Sequence, residues 1–262
     1  MNRNMVLFAG ALALVICLSA QAFAKGLYWE SLHTGRDGKE NGVSKFYYIP
    51  RMYKTVTKDG KSSVIIRLDK EKMLMLDHKK KTYQEMTFDE MEAMMKGVSS
   101  KMQEVTKQME KELAGMPAEQ RKMVEQMMGK NPMVKQETQT VVKKTGETKN
   151  ISNYACTKYI LKEGDKDVAT IWATKDIGDF KAMQQDMEEF GKRMATMMPQ
   201  NLASQVDRSM AMIDGFPVRT EMRDGTTITV TSVEKRSAPA SEFEAPSEYK
   251  RENLPMGKMG EE

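Results

Sequence analysis

The side chains most able to do chemistry are thioethers. Residues 85–102 read EMTFDEMEAMMKGVSSKM, with five methionines in eighteen positions, and the chain carries 26 in all. Methionine sulfur is a soft, neutral ligand that selects Cu(I) and similar ions, and Met91/Met95, Met123/Met127, Met183/Met187 and Met194/Met198 stand one helical turn apart. A closed metal site needs about three or four sulfurs converging on one point. Met95, Met102, Met109, Met116 and Met123 instead recur every seven residues, sharing their stripe with Val98, Val105 and Leu113, which is the spacing of helix packing. The same residues also suit a soft surface for acyl chains or other apolar ligands, because unbranched polarisable side chains fill irregular gaps. Metal ligand, adaptable apolar surface and plain core remain three open readings.

Other chemistry is sparse. There is no G-x-S-x-G, no H-E-x-x-H and no glycine loop of the phosphate-cradling kind, and the two histidines are His33 and His78. The expectation is a protein that is not an enzyme and needs no cofactor or resident metal. Asp89 and Glu90 have a sufficient role in the first turn of a helix, and Asp214-Gly215 and Asp224-Gly225 read as turns. Cys156 lies in the alternating stretch NYACTKYIL and is expected to be buried.

The N-terminus, MNRNMVLFAGALALVICLSAQAFAKG, has a basic start, an uncharged apolar run from Met5 to Leu18 and the small-residue ending Ala22-Phe23-Ala24. Residues 1–24 therefore read as a signal peptide cleaved after Ala24, and the protein as periplasmic or secreted. The run, at about fourteen residues, is short for a membrane span, and no later segment is longer. Cleavage removes one cation, Arg3, and no anion from a balance of 41 basic against 37 acidic residues. So even a balance argues against a nucleic-acid binder, and Lys79-Lys80-Lys81 reads as a solvated turn.

These residues must be positioned by a mixed architecture. From Lys25 to Met86, β-branched and aromatic stretches alternate with corners at Asp59-Gly60, Asp69-Lys70-Glu71 and Asp77-His78-Lys79, predicting an antiparallel meander. Thr87 and Glu90 form a capping box that opens a helix, with apolar positions Met91, Met95, Val98, Met102, Val105 and Met109. Gly115-Met116-Pro117 stops it, and a second helix to Gly129 completes a helical hairpin over 87–129. Strands return at KQETQTVVKKTG, KNISNYACTKYILKEG and KDVATIWATKD, a second helical region covers 179–213, and GFPVRTEMRDGTTITVTSVEKR is a hairpin. Residues 25–236 read as a single α+β domain. The Pro-, Ser- and Glu-rich 237–262 read as an irregular segment and loose tail.

Two stretches, VIIRLDKEKMLMLDHKKKTYQEM (64–86) and ISNYACTKYILKEGDKDVATIWATKD (151–176), with SEFEAPSEYK (241–250), resemble the bacterial secreted family known as domain of unknown function 4412. That family is similar in fold to the lipoprotein carriers LolA and LolB. Asn153 stands where a glycine is common, and Leu74-Met75 where an aromatic often sits, so cavity dimensions are expected to differ. The resemblance implies a strongly curved antiparallel sheet, a LolA-like half-barrel, whose concave face is covered by Met-rich helical insertions over an apolar cleft. The expected function is binding of an apolar small molecule or lipid, lined by Trp29, Tyr48, Met73, Met75, Tyr83 and Trp172 on strands and by Met91, Met95 and Met102 on the lid. The alternatives are a Cu(I)- or Ag(I)-binding protein and an envelope protein that docks a protein partner or acts as a sensor.

Overall fold

The computed structural model describes residues 24–115, 117, 120, 140–178, 180–197 and 212–253. Five sequential hairpins link β1 (Ala24–Thr34), β2 (Glu40–Ile49), β3 (Met52–Val56), β4 (Ser62–Arg67), β5 (Lys72–Asp77) and β6 (Thr82–Thr87). Tight reversals need left-handed backbone, supplied at Arg51, Gly60, Glu71 and Lys81. Helix α1 (Phe88–Gly115) follows at once. Its capping box is formed as expected: Thr87 N–H donates to Glu90 Oε2 at 2.8 Å, and Glu90 N–H to Thr87 Oγ1 at 3.1 Å. The Thr87 backbone N–H holds the Glu90 carboxyl below its ordinary range.

A second meander comprises β7 (Thr140–Ile151), β8 (Tyr154–Glu163) and β9 (Lys166–Thr174), then helix α2 (Phe180–Met197), β10 (Phe216–Met222) and β11 (Thr227–Ala238). The sequence places a break near Gly146, but β7 runs through it with a bulge between Lys144 and Thr148. The chain reverses at Ser152-Asn153, with φ of 48° and 68°. Asparagine tolerates that left-handed region, so Asn153 closes the turn without a glycine.

With β12 at Lys250–Arg251, β1 pairs with β11 and joins the two meanders into one open sheet, in the order β12-β6-β5-β4-β3-β2-β1-β11-β10-β9-β8-β7. Every pairing is antiparallel except that of the two-residue β12 (Lys250–Arg251), which adds parallel to β6. The structure is thus α+β, with a large antiparallel sheet.

Alternation along the strands gives the sheet two buried faces. On the helical face, Leu27, Trp29, Tyr48, Trp172, Phe216 and Val218 share a core with Met183 of α2, and Phe180 and Met187 pack against it. Next to it, Ile66, Leu68 and Met86 meet Phe88 and Met91 of α1, with Phe190 and Met194 of α2 packed alongside. Among the described side chains of α1, those that take part belong to its first turns. Farther along, Val98, Val105 and Met109 are exposed.

On the opposite face, β2 to β6 are covered by residues 239–251. A 3-10 turn over 240–243 drives Phe243, fully buried, among Ile49, Ile65, Leu74 and Leu76. Glu242 pairs with Lys54 at 3.1 Å, and Glu244 with Arg67 and with Lys70 at 2.6 Å. Of the expected irregular segment and loose tail, residues 239–252 form a docked strap and 254–262 lie outside the described residues, as do most of the helix expected at 117–129 and residues 198–211 of the second helical region.

Candidate functional site

The expected lining residues separate into two groups. Trp29, Tyr48 and Trp172 lie in the buried helical-face core, with Trp29 stacked on Phe46 at 4.9 Å and edge-on to Phe216 at 5.5 Å. Met73, Met91 and Met95 belong to the neighbouring cluster, and Met75 shares the strand face of Met73 two residues on. Tyr83 is on the other face, packed with Leu74, Leu76 and Tyr249 under the strap. The odd spacing between Met86 and Tyr83 already separates their faces, so Tyr83 cannot join the others. Met102 falls within α1, and its side chain is outside the described residues.

α2 is fastened to the sheet at its polar edge. The Tyr48 hydroxyl donates to Asp186 Oδ2 at 2.8 Å, and the Arg51 backbone N–H donates to the same oxygen at 2.6 Å. The Arg51 guanidinium grips both oxygens of Glu189 at 2.9 Å. One helical turn farther, Arg193 reaches Glu71 at 2.7 Å and Asp89 at 2.9 Å, lying over the Phe88 ring. Burial raises the Tyr48 phenol above its ordinary value, with the Asp186 bond adding to the effect, and burial pushes Tyr53 up to about 12.

Beside this fastening opens a cleft of about 860 Å³. Its walls are Lys25 and Gly26 of β1, Tyr48 and Pro50 at the end of β2, Lys181, Ala182 and Gln185 of α2, and Lys235, Arg236 and Ser237 of β11. A Cβ at residue 26 would lie 1.8 Å from the Tyr48 carbonyl oxygen, so only glycine lets the start of β1 come this close to β2. Of the expected lining residues whose side chains are described, Tyr48 alone borders the cleft. The remaining walls were not singled out by sequence, because Lys25, Lys181 and Lys235 are far apart in the chain and each reads locally as a solvated cation.

The reactive side chains are held in place. Cys156 is 1% exposed and free, and burial raises its thiol pKa. His78 Nε2 lies 2.6 Å from the Ser63 hydroxyl and its Nδ1 2.8 Å from the Tyr249 hydroxyl. A serine and a histidine so close resemble a nucleophile and its base, but Ser63 is buried at 1% exposure, so the trio ties the strap to the sheet. His33 is bonded to Ser44 at 2.8 Å. Among the described residues, no group of three or more His, Cys, Asp or Glu could hold a metal, and no helix is long and apolar enough to cross a membrane.

The family model described as "Domain of unknown function (DUF4412)" matches residues 89–249, from the first turn of α1 to the strap tyrosine, more than half of the chain. The chain belongs to this family. A search of curated proteins finds no match. Among solved structures, the chain is similar to PNGF-II, with 9% identity, a TM-score of 0.39, and 88% of this chain and 31% of that one covered. It is also similar to the chain in a crystal structure of MucB in complex with MucA(peri), with 8% identity, a TM-score of 0.35, and 86% and 56% covered. The MucA/MucB complex of Pseudomonas aeruginosa is matched at 10% identity and a TM-score of 0.29, with 86% and 57% covered. The chain thus spans about a third of the PNGF-II chain and just over half of the other two.

Proposed function

We propose that this protein is a non-enzymatic binder of an apolar ligand, a lipid or acyl chain, exported to the periplasm or beyond after cleavage at Ala24. The observation that carries the reading is the cleft of about 860 Å³ at the edge of α2, whose wall residue Tyr48 belongs to the same buried cluster as Leu27, Trp29 and Met183. A volume of that order matches small-molecule sites, which run from roughly 300 to 1,000 Å³. An acyl chain entering there would press between the sheet and the α2 side chains Met183 and Met187, which have the torsional freedom to reshape around it. Each methylene removed from water contributes about 0.8 kcal/mol, so a chain of modest length reaches useful affinity. The held histidines and the buried thiol support a role without catalysis.

Native mass spectrometry of the purified protein tests the reading: co-purified lipid, or saturable uptake of a fluorescent fatty acid, is expected. A protein that is empty and takes up no fatty acid overturns it. N-terminal sequencing of protein from the cell envelope is expected to begin at Lys25.

A Cu(I) or Ag(I) function has one observation in its favour. Met73, Met86, Met91, Met95 and Met194, from β5, β6, α1 and α2, gather in a single cluster, whereas the sequence spreads its thioethers along a seam. Leucine at 91 and 95 keeps the apolar volume and removes the soft ligands. Metal uptake under reducing conditions that survives this double replacement excludes those two sulfurs.

A further inference from the structure

We propose that the cleft beside α2 selects an amphiphile with an anionic headgroup, an inference that rests on the apolar-ligand reading and names the class of ligand. Three lysines, Lys25, Lys181 and Lys235, border the one cleft, brought there by β1, α2 and β11. No acidic residue is among its described walls. Asp186, the carboxylate bonded to the wall residue Tyr48, already accepts from the Tyr48 hydroxyl and the Arg51 backbone N–H. Arg236 also borders the cleft, but its guanidinium lies 5.3 Å from the centre of the Tyr28 ring and 5.5 Å from that of Tyr47, on the strap side of the sheet, so its charge faces away from α2 and the lysines carry the attraction.

A concave wall lined by one sign of charge concentrates counter-ions, and a lipid phosphate or carboxylate is such a counter-ion. The apolar half of the same ligand has somewhere to go. Tyr48 connects the cleft to the core beneath α2, so a headgroup at the lysines directs its chain toward Met183. A headgroup without net charge would gain the burial of the chain and lose the attraction.

The experiment compares lauroyl lysophosphatidylglycerol, lauroyl lysophosphatidylcholine and glycerol 3-phosphate by calorimetry on the full mature protein. The anionic lipid is expected to bind at least about tenfold tighter than the zwitterionic one of equal chain length, a preference that shrinks as salt is raised. Lys25→Glu with Lys181→Glu, both at exposed positions, is expected to abolish the preference at an unchanged melting temperature; should that variant unfold, Lys181→Ser alone is expected to reduce it. Equal binding of the two lipids, or a preference that survives in the folded variants, overturns the headgroup assignment and leaves the apolar-ligand reading standing. Binding of neither lipid overturns both. Glycerol 3-phosphate displacing the lipid at equal concentration marks a site for small soluble anions and overturns the amphiphile.

Discussion

Two histidines and one phenylalanine show how single residues govern this molecule. Burial lowers the pKa of both imidazoles, helped by the Lys58 charge at His33 and the Lys54 charge at His78. A folded-state pKa below the unfolded value near 6.5 means that the unfolded chain takes up protons first, so stability is fully present above about pH 6.5 and declines as pH falls toward the folded pKa values. Thermal melts across that range are expected to show the decline, and replacing His78 with asparagine should flatten part of it. Phe243, fully buried beneath the strap, is the larger anchor. Phe243→Ala removes a whole ring from a packed site and is expected to cost about 3–5 kcal/mol in chemical denaturation. Arg67, 3% exposed and bonded to Asp69 through Nε at 2.8 Å and Nη2 at 2.7 Å, works alongside it and holds the Asp69 carboxyl below its ordinary range.

Among the elements, α2 is the one whose movement would matter to a ligand, since it forms one wall of the cleft and is fastened at Asp186, Glu189 and Arg193. Asp186→Ala strands the Tyr48 hydroxyl and the Arg51 N–H, at an expected cost of about 1–3 kcal/mol. Hydrogen exchange should report the loss as faster exchange in 180–197, with β4 and β5 unaffected. Much of this layout was legible in the sequence. Thr87 and Glu90 announce α1, Asp224-Gly225 announces the last hairpin, and Phe180, Met183, Met187, Phe190 and Met194 mark the buried side of α2 because their spacing is local and periodic. The strap was not legible, since Glu242, Phe243 and Glu244 find their partners at Lys54, Ile65 and Arg67 across nearly the whole chain, and a Pro- and Ser-rich context reads as tail. The cationic cleft was hidden for the same reason, and the reversal at Ser152-Asn153 because asparagine signals a left-handed turn more weakly than Gly146 signals a break.

For the molecule as a whole, the strap and helices cover the β2–β6 half of the sheet on both faces, so removing residues 239–253 is expected to expose Leu74, Leu76 and Ile65 together. Binding of a hydrophobic dye and a loss of cooperative melting would record it; a truncated protein that melts like the full chain would show the strap to be dispensable. The β1–β11 pairing has a consequence in time. Strand 24–34 and its neighbour, 227–238, are separated in sequence by nearly all the other described strands and helices. Contacts so distant in sequence close slowly, because the entropy of the intervening loop is spent before the pairing returns anything. The two meanders can each form from local hairpins, so the clasp between β1 and β11 that makes them one sheet is the slow, late step of folding.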